Sequence, residues 1–95
     1  MKHAGPAALD QIEELLAKLR AYPLKEKSRG TFYRGSSAFL HFHEDPAGMF
    51  ADLKRNGDFE RFRVSTKAEC AAFLRMVARE LAPPAAQSRD TRRGG

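Results

Sequence analysis

Tryptophan is absent from this chain and cysteine occurs once, at Cys70. A single thiol excludes an intramolecular disulfide framework and a multi-cysteine zinc site. It fits a reducing compartment, so the expected location is the cytoplasm. No apolar run approaches the roughly 18–20 residues of a membrane span. Asp10, Glu13 and Glu14 fall in the first twenty residues and do not fit a signal peptide. Gly5, Gly30, Gly35, Gly48 and Gly57 are dispersed, which excludes a phosphate-cradling loop. The chain also lacks an RRM ribonucleoprotein motif, a KH loop, a zinc finger, an HExxH helix and a nucleophile elbow.

What is present is a chain of 95 residues, 42% hydrophobic and 31% charged, with a net charge of +5. That length holds one small domain. The composition is that of a globular chain with a thin core. Part of the basicity is local. Residues 83–95 carry Arg89, Arg92 and Arg93 against Asp90, with two prolines at the start and two glycines at the end. They offer no large apolar side chain to offset ordering entropy, so a disordered basic tail is expected there. The domain itself, residues 1–82, holds fourteen basic against eleven acidic residues.

Leu9, Ile12, Leu15, Leu16 and Leu19 form one helical stripe between Pro6 and Ala21. Pro6 suits a first turn and Pro23 stops the helix. LKEKSRG, residues 24–30, reads as a polar connector. Four strands follow: Thr31 to Arg34, Ala38 to His43, Met49 to Lys54 and Phe59 to Val64. Turns at Gly35-Ser36-Ser37, at EDPAG and at Asn56-Gly57 separate them. Thr66 and Glu69 have capping-box spacing, and Cys70, Phe73, Leu74, Val77 and Leu81 recur at helical intervals until Pro83-Pro84. The expected fold is α+β: a four-stranded antiparallel meander flanked by N- and C-terminal helices, in the order α-β-β-β-β-α.

Asn56-Gly57 as a two-residue type I′ turn fixes a register. It pairs Lys54 with Phe59, Asp52 with Arg61 and Phe50 with Arg63. Period-two alternation then divides the sheet. Met49, Ala51, Leu53, Phe62 and Val64 share the core face, and Ala38, Leu40 and Phe42 join them. The open face receives Phe39, His41, His43, Phe50, Lys54, Phe59, Arg61 and Arg63, with Asp52 opposite Arg61. A one-residue slip would bury Arg61 and Arg63. Strand 31–34 stays ambiguous: a two-residue turn puts Phe32 and Arg34 on the open face, a three-residue turn Tyr33.

Three chemistries suggest themselves for that face. Aromatic rings interleaved with cations suit single-stranded nucleic acid, whose bases stack and whose phosphates meet Arg and Lys. The competing reading is that a helix covers each face, or that a second copy does. His41 and His43 project to one side with Cα atoms about 6.5–7 Å apart, a start for a zinc, copper or iron site that still lacks a third ligand. Catalysis has little support: Ser36 and Ser37 sit in a turn, and Cys70 lies on an apolar helical stripe as a buried thiol.

The segment GTFYRGSSAFLHFHEDPAGMFADLKRNGDFERFRVST, followed by a capped helix, resembles small bacterial proteins of uncharacterised function. Its element order is similar to the YjbR-like group, in which a helix-flanked antiparallel sheet has been proposed to bind DNA. The resemblance covers residues 8–82 as element order, and no residue role is carried over from it. The expectation is a binding or interaction module with no enzymatic activity and no cofactor. Its partner would be a protein or a second copy of itself, with nucleic acid, or a metal or small ligand at His41 and His43, as alternatives.

Overall fold

Asn56 and Gly57 both take positive φ, 52° and 87°, as a type I′ turn requires. In the computed structural model, which describes residues 1–82, this turn closes a hairpin that pairs Arg55 with Asp58, Asp52 with Arg61 and Phe50 with Arg63. The register is the one expected from the sequence, and it continues through the Val64 amide, which donates to Met49 O at 2.8 Å. The tail expected over 83–95 lies outside the described residues.

The elements are β1 (Lys2–His3), α1 (Pro6–Gln11), α2 (Glu13–Leu19), β2 (Lys25–Ser28), β3 (Thr31–Arg34), β4 (Ser37–Asp45), β5 (Gly48–Arg55), β6 (Asp58–Arg63) and α3 (Lys67–Leu81). The α+β architecture holds. The sheet is larger than the expected four strands: β2 to β6 form an antiparallel meander in chain order, and β1 adds to β4. β4 already pairs with β5 along residues 40–45. β1 therefore lies on the same side of β4 as β3, beyond the end of that short strand.

Two of the six strands escape a reading by pattern. β1 has only two residues. β2 falls in the stretch read as a polar connector, where a two-residue turn at Arg29-Gly30 folds it back on β3. The first helical stripe is buried as expected, with Leu9, Ile12, Leu15, Leu16 and Leu19 all in the core. The helix itself breaks at Ile12 (φ −114°, ψ 24°) into α1 and α2. The carboxylates of Asp10 and Glu13, on either side of the break, both reach Arg29, each at 2.8 Å. α3 starts at a complete capping box, with Thr66 accepting from the Glu69 amide and Glu69 accepting from the Thr66 amide.

A bulge in β4 changes the face assignment of its first half. Phe32 pairs with Leu40 but Tyr33 with Ala38, so Phe39 has no partner on β3. The extra residue reverses the alternation on one side of the bulge. Phe39, expected on the open face, is only 3% exposed and belongs to the core cluster. Phe32 is fully buried there too. The β3–β4 turn has two residues, yet Phe32 does not reach the open face, because the bulge undoes the parity that the turn sets. Arg34 bridges to α3: its guanidinium lies 5.8 Å from the Phe39 ring centre and Nη1 donates to Glu80 O at 3.3 Å. Ala38, assigned to the core by alternation, pairs with Tyr33 and is only partly buried.

One hydrophobic cluster joins all three helices to one face of the sheet. It includes Leu9, Leu16, Leu19, Phe73 and Val77 from the helices and Leu40, Phe42, Ala51 and Leu53 from the strands. Fully burying side chains of this size contributes about 1.5–3 kcal/mol each, against a large entropic cost. The Phe73 ring meets those of Phe42 and Phe62, at 6.3 and 5.7 Å between centroids.

Arg20 ties the end of α2 to β2. It donates to Glu26 at 2.6 and 3.1 Å and to Glu13 at 2.7 Å. Glu26 also accepts from the Gly30 amide at 3.0 Å. The Arg20 guanidinium, with the Gly30 amide behind it, holds the Glu26 carboxyl below the ordinary glutamate range despite its partial burial. A lowered carboxyl contributes stability that is fully present above its unfolded value and is lost as pH falls through its folded value. Glu26→Gln keeps an acceptor for Gly30 and removes the charge. The variant should therefore melt below the wild type at neutral pH, and the two melting temperatures should converge once pH drops beneath the ordinary glutamate range. Thermal melts across that range check it; a gap that persists at low pH contradicts the assignment.

Candidate functional site

Among the described residues the other face of the sheet carries no helix, and the side chains that gather on it around His43 come from β1, β4, β5 and β6. Alternation beyond the bulge brings His41 and His43 to this face, as the sequence indicates. β5 adds Phe50, Asp52 and Lys54, and β6 adds Phe59, Arg61 and Arg63. β1 contributes a residue that no sequence pattern marks. His3 is the antiparallel partner of His43, so its ring falls on the same side and stacks on the His43 ring, with centroids 4.8 Å apart. A two-residue strand has no periodicity to reveal it, and only the pairing with β4 shows where His3 belongs.

The three imidazoles converge. Each offers a ring nitrogen, and the three nitrogens lie within 4.8 Å of one another. His41 Nδ1 and His43 Nε2 are 3.1 Å apart. His43 Nε2 is also 3.1 Å from Asp52 Oδ2. Asp52 is clamped from its other side by Arg61 in a two-pronged contact: Nε donates to Oδ1 at 2.8 Å and Nη2 to Oδ2 at 3.0 Å. The Phe59 ring closes one flank, 4.9 Å from the His41 ring.

Burial here comes from the cluster itself rather than from a covering element. His43 and Asp52, at 9% and 7% exposure, are the polar members of the buried set. The Nδ1 of His43 is buried with no hydrogen-bond partner among the described residues. Burial pushes the Asp52 carboxyl up. The hydrogen-bonded Arg61 guanidinium, helped by its charge and by the nearby histidines, more than offsets this and leaves the carboxyl below the ordinary aspartate value. Asp52 is therefore an anion at neutral pH. His41 lies below the ordinary imidazole value, first because it is partly buried. Asp52 pulls it up, while His43, His3 and Arg61 push it further down. The neutral imidazole is therefore the favoured form of His41 at neutral pH.

The remaining residues singled out from the sequence separate into two groups. Phe59 is the one ring of the expected aromatic set that is well exposed, at 43%; Lys54 Nζ lies 5.7 Å from its centre. Phe50 is half-buried, and Phe39 has left the face for the core. The cations are engaged within the molecule. Arg61 is held by Asp52, and Arg63 donates to Ala47 O at 3.1 Å and pairs with Glu69 at 3.5 Å. Cys70 lies on the helix side, in a groove of about 490 Å³ lined also by Ile12, Leu15, Met49, Val64 and Leu74. Its Sγ donates to Val64 O at 3.5 Å, and burial raises the thiol above its ordinary value.

Comparison of the chain with protein-family models, with curated proteins and with solved structures finds no match. Among the described residues, no helix is long and apolar enough to cross a membrane.

Asp52 is the hub of this arrangement, since Arg61 donates to it twice and His43 lies 3.1 Å from it. Asp52→Ala removes the acceptor of two charge-assisted hydrogen bonds, and the half-exposed Arg61 recovers part of the loss in water. The expected cost is about 1–2 kcal/mol of folding stability in urea denaturation. A variant as stable as the wild type would mean that the hub contributes nothing to the fold.

Proposed function

We propose that the chain is a non-enzymatic binding module whose working surface is the helix-free face of the sheet, centred on His3, His41, His43 and Asp52. The observation that carries this reading is His43. It is buried on a face that no element among the described residues covers, and its Nδ1 has no partner among them. A buried nitrogen left unpaired costs about 1–3 kcal/mol. An apolar side chain of similar size would serve folding better, and departures of this kind concentrate at functional sites. The cluster holds imidazoles, a carboxylate and a guanidinium but no serine, threonine or cysteine nucleophile. Cys70 faces the helices, and Ser36 lies in the β3–β4 turn.

Replacement of the ring tests this without knowledge of the ligand. His43→Leu removes the unpaired Nδ1 together with the Nε2 contacts to His41 and Asp52, two opposing effects, and leaves the Asp52–Arg61 clamp in place. Stability in chemical denaturation should be unchanged or higher by up to about 1 kcal/mol. A loss above about 2 kcal/mol would make His43 a packing residue and would overturn the reading.

Phe59 favours a second reading, the binding of single-stranded nucleic acid. Its exposed ring next to Lys54 is a one-base stacking platform, and stacking on one aromatic ring contributes about 1–3 kcal/mol. With Arg61 and Arg63 engaged internally, the affinity should be weak and strongly salt-dependent. Fluorescence anisotropy with a labelled oligothymidine at two salt concentrations should show binding that Phe59→Ala reduces. No binding at low salt ends this reading.

A further inference from the structure

We propose that His3, His41 and His43 form a binding site for a divalent transition-metal ion of the zinc class. This rests on the reading of the helix-free face as the working surface, and it names that surface's ligand.

The geometry is near to what the ion needs. Zinc–imidazole bonds of about 2.0–2.1 Å in a tetrahedral arrangement place ligand nitrogens about 3.3 Å apart. His41 Nδ1 and His43 Nε2 are already 3.1 Å apart. The third nitrogen, from His3, lies within 4.8 Å of both. His3 is exposed, and its strand is only two residues long, so a small rotation of this ring closes the set without disturbing the core. The other two ligands come from the long central strand β4, whose backbone is fixed by β5 on one side and by β1 and β3 on the other. Two rigid ligands and one adjustable ligand make a site that can close on an ion.

The electrostatics also fit. Asp52 Oδ2 sits 3.1 Å from His43 Nε2 and places a negative charge beside the ligand nitrogens. Arg61 offsets part of that charge, but its side chain is half exposed, and its main effect is to hold the carboxylate in place. Because the carboxylate faces Nε2 itself and not the far ring nitrogen, an ion bound there takes the place of a proton between them, and Asp52 acts on the ion as an adjacent anion. Three imidazoles select a borderline ion such as zinc over magnesium or calcium, which require oxygen ligands. Three protein ligands leave a fourth position open toward solvent, where water or an anionic group of a partner could complete the coordination.

Isothermal titration of zinc chloride into the full chain tests the assignment, with magnesium chloride as the control. Zinc should bind with one-to-one stoichiometry and magnesium should not bind. Cobalt(II) in place of zinc should give the intense visible absorption of a tetrahedral centre. His3→Ala and His41→Ala, which each remove a ligand, should weaken zinc binding more than Asp52→Asn, which removes only a neighbouring negative charge. His3 is exposed and stacks only on the outer side of the histidine cluster, so His3→Ala leaves the hydrophobic core in place, and circular dichroism checks the fold of each variant. Failure of the wild type to bind zinc, equal binding of zinc and magnesium, or unchanged zinc affinity in folded His3→Ala and His41→Ala would each overturn the proposal. If zinc does not bind while His43→Leu is as stable as the wild type, the metal assignment falls and the working-surface reading stands. If zinc binds and His43→Leu is strongly destabilised, the stability argument behind that reading falls instead.

Discussion

The parity of β4, β5 and β6 is the constraint from which the rest of this molecule follows. Two short turns, at Pro46-Ala47 and Asn56-Gly57, leave no freedom in how the three strands align. Once aligned, every second residue is committed to one face. Leu40, Phe42, Ala51, Leu53 and Val64 must then meet the helices, and His41, His43, Asp52 and Arg61 must face away. The chain has no second way to bury its leucines and phenylalanines that would not also bury an arginine.

This explains which parts of the structure could be read from residues alone. The β5–β6 hairpin was fully legible because Asn56-Gly57 has one preferred geometry and a slip has an obvious penalty. The capping box at Thr66 and Glu69 and the stripe from Leu9 to Leu19 were legible for similar reasons, since local chemistry and burial agree there. Phe39 was not. A bulge inserts one residue without any mark in the sequence; it carried Phe39 to the side opposite its apparent parity and decided the side of Phe32, which alternation had left open. β2 was hidden by its composition: Lys25, Glu26, Lys27 and Ser28 look like a loop, because this strand is held by Arg20 and by its turn rather than by an apolar face. Of the candidate site, the His41 and His43 pair and the Asp52–Arg61 contact were legible as alternation and register. His3 was not, since nothing local to a two-residue strand tells which part of the sheet it will join.

The distribution of charge also has a different meaning in the folded chain. The basic side chains of the open face suggested an exposed cationic surface. In the structure, Arg61 stabilises an aspartate and Arg63 secures the β4–β5 turn and the start of α3. These guanidinium groups serve first as internal donors. The charge that matters most to the cluster is negative, because Asp52 is the buried ion around which the imidazoles and Arg61 are arranged.

The seat of β1 has a consequence for how molecules of this protein meet one another. β3 covers only the first half of β4, which would leave the backbone of residues 42–44 as a bare strand edge. β1 occupies that edge, with the Ala4 amide donating to Phe42 O at 3.1 Å, and the Gly5 amide donating to the Glu44 side-chain carboxylate at 2.7 Å. Unpaired strand edges are templates for pairing between chains. The segment that presents His3 thus also acts as a stopper, closing this stretch of β4 to strand exchange with a neighbouring molecule.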